Sequence, residues 1–216
     1  GCGPRLLSMT QRPTAIDLFC GAGGLSLGFQ TAGFSIMRAY DHWEPAIATC
    51  HSNFDHEAQQ VEIGVDIDLP QVDVIVGGPP CQGFSSAGMR RGDDERNTLI
   101  TLFSRLVARV RPTAFVFENV EGFLTGARGR FVFELLTPLV EAGYRIHVRK
   151  VNAANYGVPQ HRKRVVAIGG LGWDPSFPCA THSAYGAPGA QLAARRLPLT
   201  PSVAEALAGL PPAVPI

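Results

Sequence analysis

The 216 residues predict an α/β fold built on a doubly wound sheet. Short apolar runs of strand length recur at about 15–19, 36–40, 73–77, 114–118, 144–151 and 164–168, with helical segments between them. The first run leads into a glycine-rich turn that opens a helix, a layout suited to a nucleotide-type cofactor. Hydrophobic residues make up 45% of the chain, enough at this length to bury the core of one domain.

Each element has its own signal. Ala15 to Phe19 is followed by Gly21-Ala22-Gly23-Gly24, where missing side chains let a ligand approach the backbone, and a helix runs through Phe29. The turn lacks the three spaced glycines of the dinucleotide pattern, which argues against a nicotinamide cofactor; taken alone it would also serve as a simple tight turn. The run Ile36 to Tyr40 ends in Asp41, about 20 positions past the glycines, where an acid can accept ribose hydroxyls or merely cap the next helix. Val72 to Val76 reads as a buried strand. Gly77-Gly78-Pro79-Pro80 then bends the chain sharply and presents Cys81 just past the bend. A thiol at the carboxyl end of a strand is placed as a nucleophile is placed, although most free thiols are simply buried.

The segment Ser85 to Asn97, with Gly88, Gly92, Arg90, Arg91 and Arg96, reads as a lid closing over nucleic acid or as a solvated loop. Asn97-Thr98-Leu99 begins a helix whose apolar positions, Leu99, Phe103, Leu106, Val107 and Val110, recur at helical spacing until Pro112 stops it. Phe115 to Phe117 is a strand ending in Glu118, a carboxylate costly to bury unless paired or protonated and hence suited to proton chemistry. Pro138 within Arg130–Ala142 implies a kink or two short helices. After the rigid Gly157-Val158-Pro159 turn, Arg162 and Arg164 alternate onto one face just ahead of Val165 to Ile168.

Pro79-Pro80-Cys81-Gln82 with Phe84-Ser85 resembles the catalytic loop of the cytosine-5 DNA methyltransferases, and the family's other motifs appear in order. Asp17-Leu18-Phe19-Cys20-Gly21-Ala22-Gly23-Gly24 resembles the first, Val65-Asp66-Ile67 the third, Glu118-Asn119-Val120 the sixth and Gln160-His161-Arg162-Lys163-Arg164 the eighth, so that the resemblance covers roughly Ala15 to Gly169. It implies a doubly wound mixed sheet of the S-adenosylmethionine-dependent methyltransferase (Rossmann-like) type. It also implies S-adenosylmethionine as cofactor: Phe19 against the adenine, Gly21, Gly23, Gly24 and Leu25 at the methionine end, Asp41 on the ribose and Asp66 on the adenine amino group beside Ile67. His42 stands where the family packs an apolar residue on the adenine, and Asp41 where it usually has the longer Glu. Gly78, Pro80 and Leu99 are further implied cofactor contacts. In the implied chemistry Cys81 adds to carbon 6 of a flipped cytosine, Glu118 acts at ring nitrogen 3, Arg164 reaches the carbonyl oxygen and holds Glu118, Arg162 meets the sugar-phosphate, and Asn119 positions Glu118 and the loop.

Composition limits the alternatives. No apolar run approaches the ~18 residues of a membrane span and no signal-peptide pattern opens the chain, so a cytoplasmic enzyme acting on DNA in the nucleoid is expected, of the restriction-modification class, with no partner restriction enzyme indicated by the sequence. The five cysteines form no C-x-x-C pair, so neither a metal nor a disulfide framework is expected. A formal charge of +1 is low for a protein that must grip duplex DNA unaided. The expected organisation is a lead segment over 1–14, a catalytic domain over 15–170 and a Pro/Gly/Ala-rich tail over 171–216 with one helix near Pro201–Leu210, opened by Thr200-Pro201 or by a Ser202–Glu205 capping box. The family's recognition region and last motifs do not follow, which leaves a shortened chain, a degenerate remnant or one subunit of a split enzyme completed by a second protein chain. A transfer-RNA cytosine methyltransferase and a non-catalytic regulatory subunit are the other functions weighed. The second is disfavoured because Cys81, Glu118, Arg162 and Arg164 are all present.

Overall fold

The computed structural model describes residues 12–80, 97–183 and 197–211. Its strands are β1 (Thr14–Leu18), β2 (Ser35–Asp41), β3 (Glu57–Gln60), β4 (Val74–Gly77), β5 (Ala114–Asn119), β6 (Tyr144–Asn152) and β7 (Lys163–Leu171). The helices are α1 (Gly24–Thr31), α2 (Glu44–Asn53), α3 (Asn97–Val110), α4 (Gly122–Thr125), α5 (Arg130–Glu141) and α6 (Val203–Leu207). The strands form one mixed sheet in the order β3-β2-β1-β4-β5-β7-β6, parallel from β3 to β5, with β7 antiparallel to both of its neighbours. This is the predicted doubly wound α/β architecture.

The period-2 alternation of each strand sends its apolar residues to two different layers. Ile16, Leu18, Ile75, Phe115 and Phe117 pack in one cluster with Phe103 and Leu106 of α3 and Leu135 and Leu139 of α5. Ala15, Ile36, Val74 and Val76 face the other way, under Leu25 and Phe29 of α1, while Ile47 and Cys50 of α2 cover Ala39 and Ala58. Rings interlock across the first layer: Phe103, Phe115, Phe117, Phe123 and Tyr144 lie 5.2–6.3 Å apart in successive pairs.

Two elements depart from expectation. Strand β3, Glu-Ala-Gln-Gln, carries no β-branched or aromatic residue and gave no signal. It forms because β2 offers a parallel ladder, Ala58 is buried, and Arg38 meets Glu57 at 2.9 Å; an edge position lets the remaining side chains stay polar. The second is α5, one uninterrupted helix rather than a broken one, with Pro138 in its last turn. The missing proline N–H strips Glu134 of its helical donor. The fully buried Ser104 hydroxyl, bonded to Thr101, also approaches the Glu134 carbonyl at 3.4 Å.

Beyond β7 the chain turns back onto the β6–β7 connection. The amides of Thr181 and His182 donate to the Asn155 carbonyl, both at 3.0 Å, and the Thr200 hydroxyl donates to Ala154 at 2.6 Å. Helix α6 starts at the Ser202–Glu205 capping box, the second of the two openings considered.

Candidate active site

Register brings the functional ends together. Leu18 of β1 lies opposite both Tyr40 and Gly77, and Gly77 opposite Phe117, so the carboxyl ends of β2, β1, β4 and β5 form one edge. Strand β7 runs the other way and therefore begins at that edge, with Val165 opposite Asn119. Residues far apart in sequence meet there: Arg164 Nε lies 2.8 Å from Glu118 Oε1, both side chains partly exposed.

The glycine turn is held from three sides. Phe19, Gly21 and Gly23 all take left-handed backbone conformations, with φ of 61°, 53° and 87°. A Cβ on Gly23 would lie 2.4 Å from the Phe54 ring, so this position needs glycine for both its angle and its space. Asp41 accepts from the Gly21 amide through Oδ2 and from the Trp43 amide through Oδ1, each at 2.9 Å. Its carboxylate thus braces the turn and the entry to α2. Across the base, Asp17 Oδ2 accepts both the Ser26 amide (3.0 Å) and hydroxyl (2.7 Å), tying β1 to the first turn of α1. The Cys20 and Cys50 thiols both point at the Gly21 carbonyl. Burial pushes both thiols up, so they remain protonated packing groups.

Burial, partly offset by the Ser26 hydrogen bonds, raises Asp17 from its ordinary 3.8 to about 7. The folded state therefore holds this proton over a range in which the unfolded chain has lost it. Stability from this group is fully present below about pH 4 and is lost as pH rises through about 7. Asp17→Asn keeps an acceptor for Ser26 without the charge. Its stability relative to the parent should rise between pH 4 and 8 by on the order of 4 kcal/mol in urea titrations. A difference independent of pH would sink the assignment.

A cavity of about 140 Å³ opens beside the turn, lined by Phe19, His42, Val61, Glu62, Ile63, Pro80 and Leu99. A second, of about 340 Å³, is lined by Ala22, Gly23, Gly24, Leu27, Asn53 and Phe54. Phe19, His42, Pro80 and Leu99 thus line the first cavity, and Gly23 and Gly24 the second. Four residues, Leu25, Asp66, Ile67 and Gly78, are placed otherwise. Arg109 of α3 donates to the carbonyls of Val65 and Ile67, and its Cα stands about 15 Å along the helix from Leu99. Asp66 and Ile67 are consequently not among the cavity residues; Glu62 and Ile63, just past the unrecognised β3, line it instead. Leu25 packs into the core beneath α1. Gly78 faces Glu118 rather than either cavity. Had β3 been legible, the acid following its carboxyl end would have been the natural candidate, as Asp41 is after β2.

Asn119, 3% exposed, donates through Nδ2 to the Pro79 carbonyl at 3.2 Å, joining the end of β5 to the double-proline loop. Arg162 is exposed just ahead of β7. Cys81 and the segment through Arg96 lie outside the described residues. Among the described residues, no group of three or more His, Cys, Asp or Glu could hold a metal ion, and no helix is long and apolar enough to cross a membrane.

Residues 14–173 match the family model described as C-5 cytosine-specific DNA methylase. The chain is 44% identical over 165 residues to the type II methyltransferase M.AgeI of Thalassovita gelatinovora, covering 71% of this chain and 38% of that protein. It is 36% identical over 222 residues to the type II methyltransferase M.AquIA of Picosynechococcus sp., covering 93% and 90% respectively. Among solved structures it resembles one assigned as a prophage-encoded DNA modification methyltransferase (E. coli), with a TM-score of 0.73, 32% identity, and coverage of 94% of this chain and 56% of that one. The chain spans about two fifths of the length of the first curated relatives it matches.

Proposed function

The chain belongs to the C-5 cytosine-specific DNA methylase family, and from that premise we propose that it methylates carbon 5 of cytosine in DNA through a covalent Cys81 adduct. One observation carries the reading best: the Pro79–Pro80 loop that leads to Cys81 stands between two functional features. Pro80 lines the cavity beside the glycine turn, and Asn119 ties Pro79 to the strand end bearing the Glu118–Arg164 pair. This nearness of the Pro79–Pro80 loop to both features supports the reading.

The residues fit S-adenosylmethionine. Phe19 and His42 offer flat faces for the adenine, Glu62 an acceptor for its amino group, and Gly23 and Gly24 open backbone at the methionine end. When bound, the cofactor supplies the electrophilic methyl that carbon 5 takes. Cys81 adds as a thiolate to carbon 6 of a cytosine flipped out of the duplex. Glu118 donates to ring nitrogen 3 as charge develops there, held by Arg164, which also faces the carbonyl oxygen. Loss of the carbon 5 proton to water then expels Cys81 as its thiolate, and the ring-nitrogen proton returns to Glu118. With a formal charge of +1, these residues rely on further polypeptide, in this chain or a second one, to read and grip DNA.

The test is transfer of a radiolabelled methyl to duplex DNA, by the 216 residues alone and together with the candidate recognition polypeptide, with 5-methylcytosine identified by mass spectrometry. Label should enter DNA strongly only in the second case. Labelling of transfer RNA instead would overturn the substrate, and strong site-specific labelling by the 216 residues alone would overturn the need for further polypeptide.

The cofactor assignment has its own check. Glu62→Ala removes a charged hydrogen bond and should weaken S-adenosylmethionine binding by roughly tenfold or more in calorimetry, while Asp66→Ala should leave it within about twofold. The reverse pattern would return the role to Asp66.

A further inference from the structure

The two carboxylate oxygens of Glu118 have different surroundings. Oε1 receives the Arg164 guanidinium at 2.8 Å. Oε2 lies 3.1 Å from where a Cβ on Gly78 would stand, and the Glu118 carbonyl 3.6 Å from the same point. A methyl there would sit closer to Oε2 than ordinary van der Waals contact allows. Making room would shift the carboxylate by a few tenths of an ångström beside its ion pair with Arg164. The backbone of Gly78 is not in the left-handed region, so conformation alone does not demand glycine. The adjoining loop cannot easily retreat either, because Asn119 fixes Pro79 to β5. Gly77 has a different reason for being glycine: its Cβ would lie 2.6 Å from the Leu18 carbonyl and 2.9 Å from the Phe103 ring.

We propose that Gly78 is a positioning residue for the acid: its missing side chain leaves the space that lets Glu118 stand against the catalytic loop in the orientation Arg164 imposes. The inference rests on the reading of Glu118 as the group acting at ring nitrogen 3. It moves Gly78 from cofactor contact to setting the aim of a proton donor. Displacement by a few tenths of an ångström matters because general acid catalysis requires hydrogen-bond reach to the reacting atom. The cofactor cavity, lined on the other side of the loop by Pro80, should not register the change.

The experiment is a double-mutant cycle in the active enzyme, with any polypeptide it requires for DNA recognition. Gly78→Ala should lower kcat about tenfold, with S-adenosylmethionine affinity by calorimetry unchanged within about twofold. Glu118→Asp shortens the acid and withdraws it from the added methyl. In that background Gly78→Ala should cost nothing further, or restore part of the rate. Full activity in Gly78→Ala overturns the proposal. So does an equal loss in both backgrounds, which is what general misfolding would give, and so does a loss of cofactor affinity matching the loss of kcat. Glu118→Gln serves as the separate control: full turnover in that variant removes the acid role itself, whatever Gly78 does.

Discussion

Replacing Cys81 with serine should reduce methyl transfer to background while leaving fold and cofactor binding intact. The proposed addition at carbon 6 needs an anionic nucleophile. A cysteine near its ordinary pKa of about 8.5 supplies some thiolate at neutral pH, whereas a serine hydroxyl supplies essentially no alkoxide. The cysteines among the described residues are not set up to substitute. Cys20 and Cys50 are buried with their thiols pushed up by desolvation, and Cys179 lies exposed on the tail. Turnover should fall by at least about a thousandfold. DNA carrying 5-fluorocytosine should become covalently attached to the parent enzyme, because fluorine at carbon 5 cannot leave as the proton does. Peptide mapping should locate the adduct at Cys81. Attachment elsewhere, or undiminished turnover by the serine variant, would remove Cys81 from the mechanism.

The second large effect is expected for Glu118→Gln. The amide keeps the shape but cannot give up a proton, so kcat should fall by about 10²–10⁴-fold. Stability should hardly move. The Arg164–Glu118 pair has side chains 23% and 30% exposed, and a pair open to solvent contributes about 1 kcal/mol or less. Cofactor affinity should also hold, because Glu118 does not line either cavity beside the glycine turn. A collapse of S-adenosylmethionine binding in step with turnover would make Glu118 part of the cofactor pocket instead.

How much of this was legible beforehand depended on the range of the forces involved. The six apolar strands, the helices α1, α3 and α5, the glycine turn and the ordered motifs were all readable, because period, turn chemistry and strand-end position are properties of short segments. The same holds for the reading of Cys81 and Glu118 as candidates: Cys81 follows the Gly-Gly-Pro-Pro bend after an apolar run, and Glu118 ends an apolar run where a carboxylate is costly to bury.

What escaped was decided between segments. Strand β3 exists only because β2 has a free edge for it, and the place of Glu62 beside the cavity depends on that pairing. The Arg109 clamp on Val65 and Ile67 joins residues more than forty positions apart, beyond any local pattern. Pro138 breaks no helix because it falls in the last turn, where Ser104 of α3 reaches toward the carbonyl it frees. The sequence by itself determined the doubly wound α/β class and the family, and named the candidate residues for its chemistry. Only the tertiary structure decided that Asp41 braces the glycine turn, that Gly78 makes room for Glu118, and that Arg164 meets that carboxylate through the antiparallel register of β7. The physical reason is that periodicity and turn preference act over a few neighbouring residues, whereas register, close packing and charge pairing depend on which distant segments come to share a strand edge.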